Sequence, residues 1–482
     1  MAERGRPRRR ALVAAASLLA VLAYWLLPIR GQVLVTTGGS GLGWPRIEVE
    51  SGPTEAILTI GDVTPWGNVA AAVDGRRVPI EPVAAGPPGV WRWRGAFKPP
   101  ASDAYTVVFY RDCNRGCVER GRLGVGTPPA RTRPAAPGIP SQLGVVFAAP
   151  ERDWHGRAGW NVELLYCRAD DGRRWGIHGL ADAVARTSTA GLRTLVRVAY
   201  DVGQSIPPTD DQVALTGYLD CLERAARDDR LQDVYGYVIG SGFNSAGENR
   251  LGRPVTARWY ARVLNGYGLA PGRGDTVLER VRAANPRVRV LVGPVTPWAT
   301  DQAGELPDPS GAPWLDYMNT LVAALDEAAR ARAAAGVGLA IPDGFAVQAP
   351  GRVDAPALGG RGAEEPRTDL PDPRWPRAQA GFRVYRDWLA VVNRYGSTAG
   401  RPIYISATNT FVADVGVPPA QNYPAGWLRS ALAVVAAEPQ VQALIWFLDE
   451  PTEDGAWDFF SLTRRAGRLI DAADELDALL RG

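Results

Sequence analysis

Histidine, methionine and lysine are nearly missing from this chain: 482 residues include two histidines (His155 and His178), two methionines and one lysine, Lys98. Together with only four scattered cysteines, that leaves too few ligands for a zinc site of the usual kind. A carboxylate site for Mg²⁺ or Ca²⁺ stays open, but no recognisable loop stands behind it, so no metal and no cofactor is expected. Basic residues number 54 against 51 acidic, and the net charge of +3 gives no reason to expect nucleic acid. The basic residues are almost all arginine in a chain rich in Ala, Gly and Pro, which reads as codon bias rather than an arginine-rich binding surface. No Gly-rich phosphate loop joins the first strand of the larger domain to a helix, which counts against an open doubly wound sheet.

What is present begins with an apolar run. Arg4, Arg6, Arg8, Arg9 and Arg10 precede residues 11–27, which carry no charge. With Pro28 and Ile29 the run reaches ~28 Å as a helix, about one hydrocarbon core. Basic residues before the span hold the N-terminus in the cytoplasm. No small-x-small cleavage site follows, so residues 1–30 are expected to be an uncleaved membrane anchor. The bulk of the chain is then extracytoplasmic, on a single-pass cell-membrane protein.

Residues 33–127 read as a small all-β, sandwich-like domain: short β-prone runs separated by Gly and Pro turns. Cys113 and Cys117 flank a turn-like triplet and are expected to form a disulfide, the alternative being two free thiols. Cys167 and Cys221 fall in different elements of the next domain and are not expected to pair. A proline-rich stretch, TPPARTRPAAPGIP, sets residues 128–140 apart as a linker. From 141 to 482 strands alternate with helices. The strand candidates are 143–147, 162–166, 192–199, 234–239, 288–292, 344–347, 402–406 and 441–447, with helical stretches at 210–227, 314–335, 377–395 and 427–438. Eight strands with crossovers predict an α/β fold, a (β/α)₈ TIM barrel. The first crossover, 149–159, is too short for a full helix.

The organising stretch is VYGYVIGSGFNSAGEN, residues 234–249. Its apolar run suits a strand buried on both faces, and it breaks into a polar loop before a helical segment at 254–264. Residues just past such strand ends form the active face of a (β/α)₈ barrel. The runs YGYVIG, DGFAVQ, PIYIS and ALIWF resemble strands four, six, seven and eight of the clan-A glycoside hydrolases, the cellulase- and mannanase-like families. The resemblance covers roughly residues 143–480. It implies an acid/base glutamate at the end of strand four and a nucleophilic glutamate at the end of strand seven. Here those positions hold Gly242 and Ala407, and Gln348 stands where strand six often delivers a histidine. Trp446 is at the place of the strand-eight tryptophan that floors the sugar subsite.

A retaining glycosidase needs two carboxyl groups about 5–5.5 Å apart. With both positions empty, no catalytic residue is assigned. Glu248, Asp449 and Glu450 are candidates to replace them, with Glu453 and Asp201 nearby in sequence; the bland alternative is solvated loop carboxylates. Trp154, Trp160, Trp298, Trp314, Trp446 and Trp457 fall at or after predicted strand ends, where aromatic faces suit pyranose rings or, alternatively, pack beneath loops. The expected sugar-binding set is Trp446, Gln348, Asn244, Asn409, Trp298 and Trp154. The chain reads as a membrane-anchored extracellular pseudo-glycosidase that binds carbohydrate or a cell-envelope glycan. The alternatives are an active glycoside hydrolase with relocated carboxylates and a structural envelope scaffold that binds proteins.

Overall fold

Period-two alternation along the strands divides their side chains between two apolar environments, and that division builds the larger unit. The computed structural model describes residues 33–37, 45–51, 54–62, 67–73, 76–83, 90–99, 105–111, 118–125, 139–169, 174–270, 276–336, 340–352, 372–411, 417–451, 455 and 457–482. The apolar run 11–27 and the Cys113/Cys117 pair lie outside these residues. Among the described residues no helix is long and apolar enough to cross a membrane. Contacts separate the chain into two units, Met1–Ala130 and Arg131–Gly482.

In the first unit two antiparallel sheets share one core. One runs β1 (Val33–Thr37), β2 (Arg46–Ser51), β3 (Ala56–Asp62), β7 (Trp91–Phe97), β6 (Glu81–Val83); the other runs β5 (Arg76–Val78), β4 (Ala70–Val73), β8 (Tyr105–Arg111), β9 (Val118–Val125). Ile47, Val49, Leu58 and Ile60 meet Val73, Val107, Phe109 and Leu123 between them. The Arg-rich β5 and the β9 run VERGRLGV lack the apolar alternation that marks a strand, and pairing with β4 and β8 decides them.

The second unit is a closed barrel of eight parallel strands: β10 (Ile139–Val146), β11 (Arg157–Tyr166), β12 (Arg193–Ala199), β13 (Val234–Ile239), β14 (Arg289–Val292), β15 (Gly344–Gln348), β16 (Ile403–Thr408) and β17 (Val441–Trp446). β10 pairs with β17, Val145 opposite Trp446, and closes it. β10 begins at Ile139, inside the segment read as linker. Val162, Leu164, Leu195, Val238, Leu291, Ala346 and Ile445 fill the barrel interior. Their strand neighbours Leu165, Val196, Val198, Ile239, Val292, Val347 and Leu444 face the helices. No helix joins β10 to β11 among the described residues; the connection turns through Phe147 (φ 56°) and His155 (φ 47°).

α1 (Ile177–Thr189) follows β11, and α2 (Gln212–Arg227) follows β12. Asp211 caps α2 by accepting from the Ala214 N–H, and Leu215, Tyr218, Leu219 and Leu222 line its buried face. Tyr218 Oη donates to the Val198 carbonyl (2.8 Å). Cys167 N–H donates to the Ala199 carbonyl (3.0 Å), so the same strand end holds both Cys167 and the helix carrying Cys221. The two are bonded, with Cα atoms 5.6 Å apart, which corrects the expectation that they stay unpaired. Different elements in sequence become neighbours because α2 packs over the β11–β12 ladder. Later crossovers carry α3 (Ala257–Asn265), α4 (Val277–Ala284), α5 (Pro313–Ala334), α6 (Val384–Val392), α7 (Pro419–Asn422), α8 (Trp427–Ala436) and the terminal α9 (Leu469–Arg481).

Candidate functional site

The C-terminal ends of the strands form a mouth shaped by the turn after β13. Gly240 (φ 66°) and Gly242 (φ 65°) both take the left-handed conformation that favours glycine. Ser241 N–H donates to Ser205 Oγ (2.7 Å) and Gly242 N–H to the Pro294 carbonyl (2.8 Å). The loop then folds back. Phe243 stacks on Tyr260 (4.1 Å), and Asn249 Nδ2 donates to the Phe243 and Ser245 carbonyls. This return brings Glu248 over Gly242: a Cβ there would lie 3.0 Å from Glu248 Cγ and 2.9 Å from Thr296 Oγ1. The space into which a side chain at Gly242 would grow is filled by the stem of Glu248.

Burial raises the Glu248 carboxyl above the usual range, opposed by Arg197 and Arg250. No second carboxylate among the described residues contributes to that shift. Across the mouth Ala407 pairs in register with Gln348. Ser406 Oγ donates to the Val347 carbonyl (3.2 Å), and Gln348 Nε2 lies 3.4 Å from Ser241 Oγ. Arg197 shares its register with Leu164 and Val238, both interior residues, so it too points inward. Tyr166, at the end of β11, packs on the same interior cluster; burial raises its hydroxyl pKa, opposed by the nearby Arg197. Sequence reading missed Tyr166 and Arg197. The signal was there: an arginine inside the apolar run LVRVA, two residues from an interior leucine.

The expected sugar-binding residues divide. Trp446 is 0 % exposed, packs edge-on against Tyr423 (5.5 Å) and donates to the Phe460 carbonyl (3.2 Å). It faces the helix layer, so it is not an open floor. The strand-eight aromatic on the interior side is the next residue, Phe447, because one step along a strand changes face. Phe447 meets Trp457 (5.3 Å) and Phe460 (5.5 Å), and Trp457 is 44 % exposed. Trp154 is buried against Gly159, and Trp160 and Trp314 are enclosed as well. Trp298 is half-buried, its indole donating to the Gln379 carbonyl (2.8 Å). Asn244 commits its amide to the main chain of Thr296 (2.7 and 3.0 Å), and Asn409 binds the main chain of Phe447 and Phe411 (3.1 and 2.7 Å). These two asparagines clamp loops; Gln348 alone of the three amides faces the mouth.

The other candidate carboxylates are already engaged. Asp449, 0 % exposed, accepts from Arg152 Nε (2.7 Å), Arg152 Nη2 (2.5 Å) and the Ala149 N–H (3.0 Å). Arg152 also bridges to Asp477 (2.6 Å), a buried ionic network rather than an available acid. Glu450 faces Arg174 at 3.5 Å and Asp201 faces Arg168 at 3.2 Å. Glu453 lies outside the described residues. Among those described, no group of three or more His, Cys, Asp or Glu side chains is placed to hold a metal ion.

No family model matches the chain. No curated protein matches it either. Among solved structures it is similar to a family 39 glycoside hydrolase from the gut symbiont Bacteroides cellulosilyticus WH2, with 11 % identity and a TM-score of 0.42 over 93 % of this chain and 82 % of that one. It is also similar to the catalytic domain of alkaline cellulase K (12 %, TM-score 0.33, 69 % and 78 %). A third is a family 5 xyloglucanase from Paenibacillus pabuli (14 %, TM-score 0.31, 66 % and 98 %). All three are carbohydrate-cleaving enzymes by name, the type that the strand-end runs resemble. At these identities and scores the likeness carries no argument about chemistry, and the barrel rests on its own strand pairing.

Proposed function

We propose that this chain is a carbohydrate-binding barrel of glycoside hydrolase type that does not cleave its ligand, held outside the cell by an anchor at residues 1–30. The observation that carries the reading is Gly242, a left-handed glycine whose side-chain space is filled by Glu248 and Thr296. Ala407 offers only a methyl where a nucleophile is needed. Loss of the general acid alone removes roughly 10²–10⁴ in rate. Binding does not depend on that pair. Phe447 and Trp457 supply aromatic surface, and Gln348 and Ser241 supply neutral hydrogen-bond partners. The Cys167–Cys221 disulfide supports an oxidising, extracytoplasmic setting.

One observation favours a second reading, an active hydrolase. Glu248 lies over the strand-four position with its carboxyl biased toward the protonated form, as a displaced general acid should be. That reading also needs a second carboxylate, and among the described residues only Arg197 and Arg250 act on the Glu248 charge. Calorimetry and reducing-end assays on the full-length chain with β-glucans, mannans and xylans separate the two. Binding with dissociation constants of about 1 μM to 1 mM and no new reducing ends is expected. Turnover that disappears in Glu248→Gln selects the hydrolase.

A further inference from the structure

One corner of the mouth combines a braced tryptophan with a partly exposed ion pair. Trp457 meets Phe447 edge-on at 5.3 Å, and Phe460 backs both rings at 6.0 and 5.5 Å. Phe411, in the loop after β16, braces Phe460 in turn (5.4 Å). Trp457 nevertheless stays exposed. An indole held by its neighbours and open to water is a preformed stacking surface, so a ligand need not order it. Three residues after Phe447, the Glu450 N–H donates to the Phe147 carbonyl (3.0 Å). Glu450 there faces Arg174 at 3.5 Å, the side chains 37 % and 30 % exposed. The Arg174 guanidinium lies over Trp175 (4.7 Å) and Phe147 (5.3 Å), which pack on each other at 4.8 Å. Stacking restrains the guanidinium while leaving the N–H groups in its plane available. So exposed a pair adds little to stability. A fixed donor beside an open acceptor is instead what two neighbouring sugar hydroxyls require. Trp175, Phe447 and Phe460 all pack on the interior cluster that contains Phe147, so the tryptophan and the pair belong to one mouth. β17 adjoins β10 and stands across the closed barrel from β13, which places this corner opposite Gly242 and Glu248.

We propose that this corner holds consecutive units of a neutral, linear oligosaccharide. One ring stacks on Trp457 beside Phe447, and the vicinal hydroxyls of the next are shared between Arg174 and Glu450. This deepens the carbohydrate-binding reading and rests on it. The pair carries no net charge, so the site selects hydroxyl geometry rather than ligand charge.

The test is calorimetry on the full-length chain with cellotetraose, mannotetraose and xylotetraose, each beside its monosaccharide. At least one tetrasaccharide should bind about tenfold or more tightly than its own monosaccharide, because only the longer ligand reaches both parts. Trp457→Ala should weaken that binding about fivefold. Glu450→Gln and Arg174→Gln should each weaken it about tenfold. The double variant should lose less than the product of the two, since both side chains grip the same hydroxyls. Trp91→Ala removes an exposed tryptophan of the first unit and should leave affinity in place. Undiminished binding in either Trp457→Ala or Glu450→Gln, a monosaccharide that binds as tightly as its tetrasaccharide, or an equal loss in Trp91→Ala overturns this placement and leaves the carbohydrate reading standing. Binding of none of these sugars overturns both.

Discussion

Glu163 offers the sharpest pH prediction. It lies on the outer face of β11, 6 % exposed, with Oε1 accepting from Asn161 Nδ2 (2.9 Å). Burial pushes its carboxyl from the ordinary 4.5 up to about 7, against the pull of Asn161, Arg174 and Arg186, with Glu450 adding to the rise. The folded state therefore prefers the protonated form. The stability this contributes is fully present below about pH 4.5 and is lost as pH rises through about 7. That gap corresponds to roughly 3 kcal/mol if the unfolded carboxyl is unperturbed. Glu163→Gln keeps the size and the acceptor for Asn161 but has no charge to bury. Denaturant unfolding followed by tryptophan fluorescence should find the variant matched to the parent near about pH 4 and more stable by up to roughly 3 kcal/mol near about pH 8. An equal difference at both pH values, or a variant less stable at the higher one, would mean that Glu163 is charged and held by Arg174 and Arg186.

Four further perturbations test the architecture around the mouth. Replacing Cys167 and Cys221 by serine opens a link spanning 54 residues of sequence. The chain-entropy estimate for such a loop is about 4 kcal/mol, read as a lower unfolding midpoint that reductant no longer changes. Asp449→Ala leaves the buried Arg152 with Asp477 as its one carboxylate and should destabilise the barrel by up to roughly 3–5 kcal/mol, whereas a freely available loop acid would leave the melting temperature in place. Trp446→Ala should cost roughly 3–5 kcal/mol of stability while glycan affinity stays within twofold or so. Phe447→Ala should lower that affinity by about 1 kcal/mol, measured by calorimetry on the same sugars.

The sequence made the barrel legible because its strands are apolar runs with clear ends; the bounds Val234–Ile239 agree with β13 residue for residue. Strands without that pattern, such as β5 and β9, are decided by their partners and were not visible alone. Gly242 and Ala407 at two strand ends were legible, since they are identities rather than geometries. What fills the space over Gly242 was not. Glu248 reaches Gly242 only because Asn249 and Phe243 fold the loop back, which six residues of spacing do not reveal. Trp446 and Phe447 differ by one position, and one position in a strand is the difference between helix layer and barrel interior. Asp449 looks the same in sequence whether solvated or locked, and Arg152, nearly 300 residues earlier, decides which. Pairing Cys167 with Cys221 likewise needed the docking of α2.

Under the proposed function the barrel holds a glycan and leaves it whole. The direct measurement is mass analysis of glycans recovered from the full-length chain after long incubation at saturating protein, run on every sugar that calorimetry finds bound. Each bound glycan should return at its original mass, with Glu248→Gln indistinguishable from the parent. Shortened products that accumulate with the parent and vanish with Glu248→Gln would contradict it.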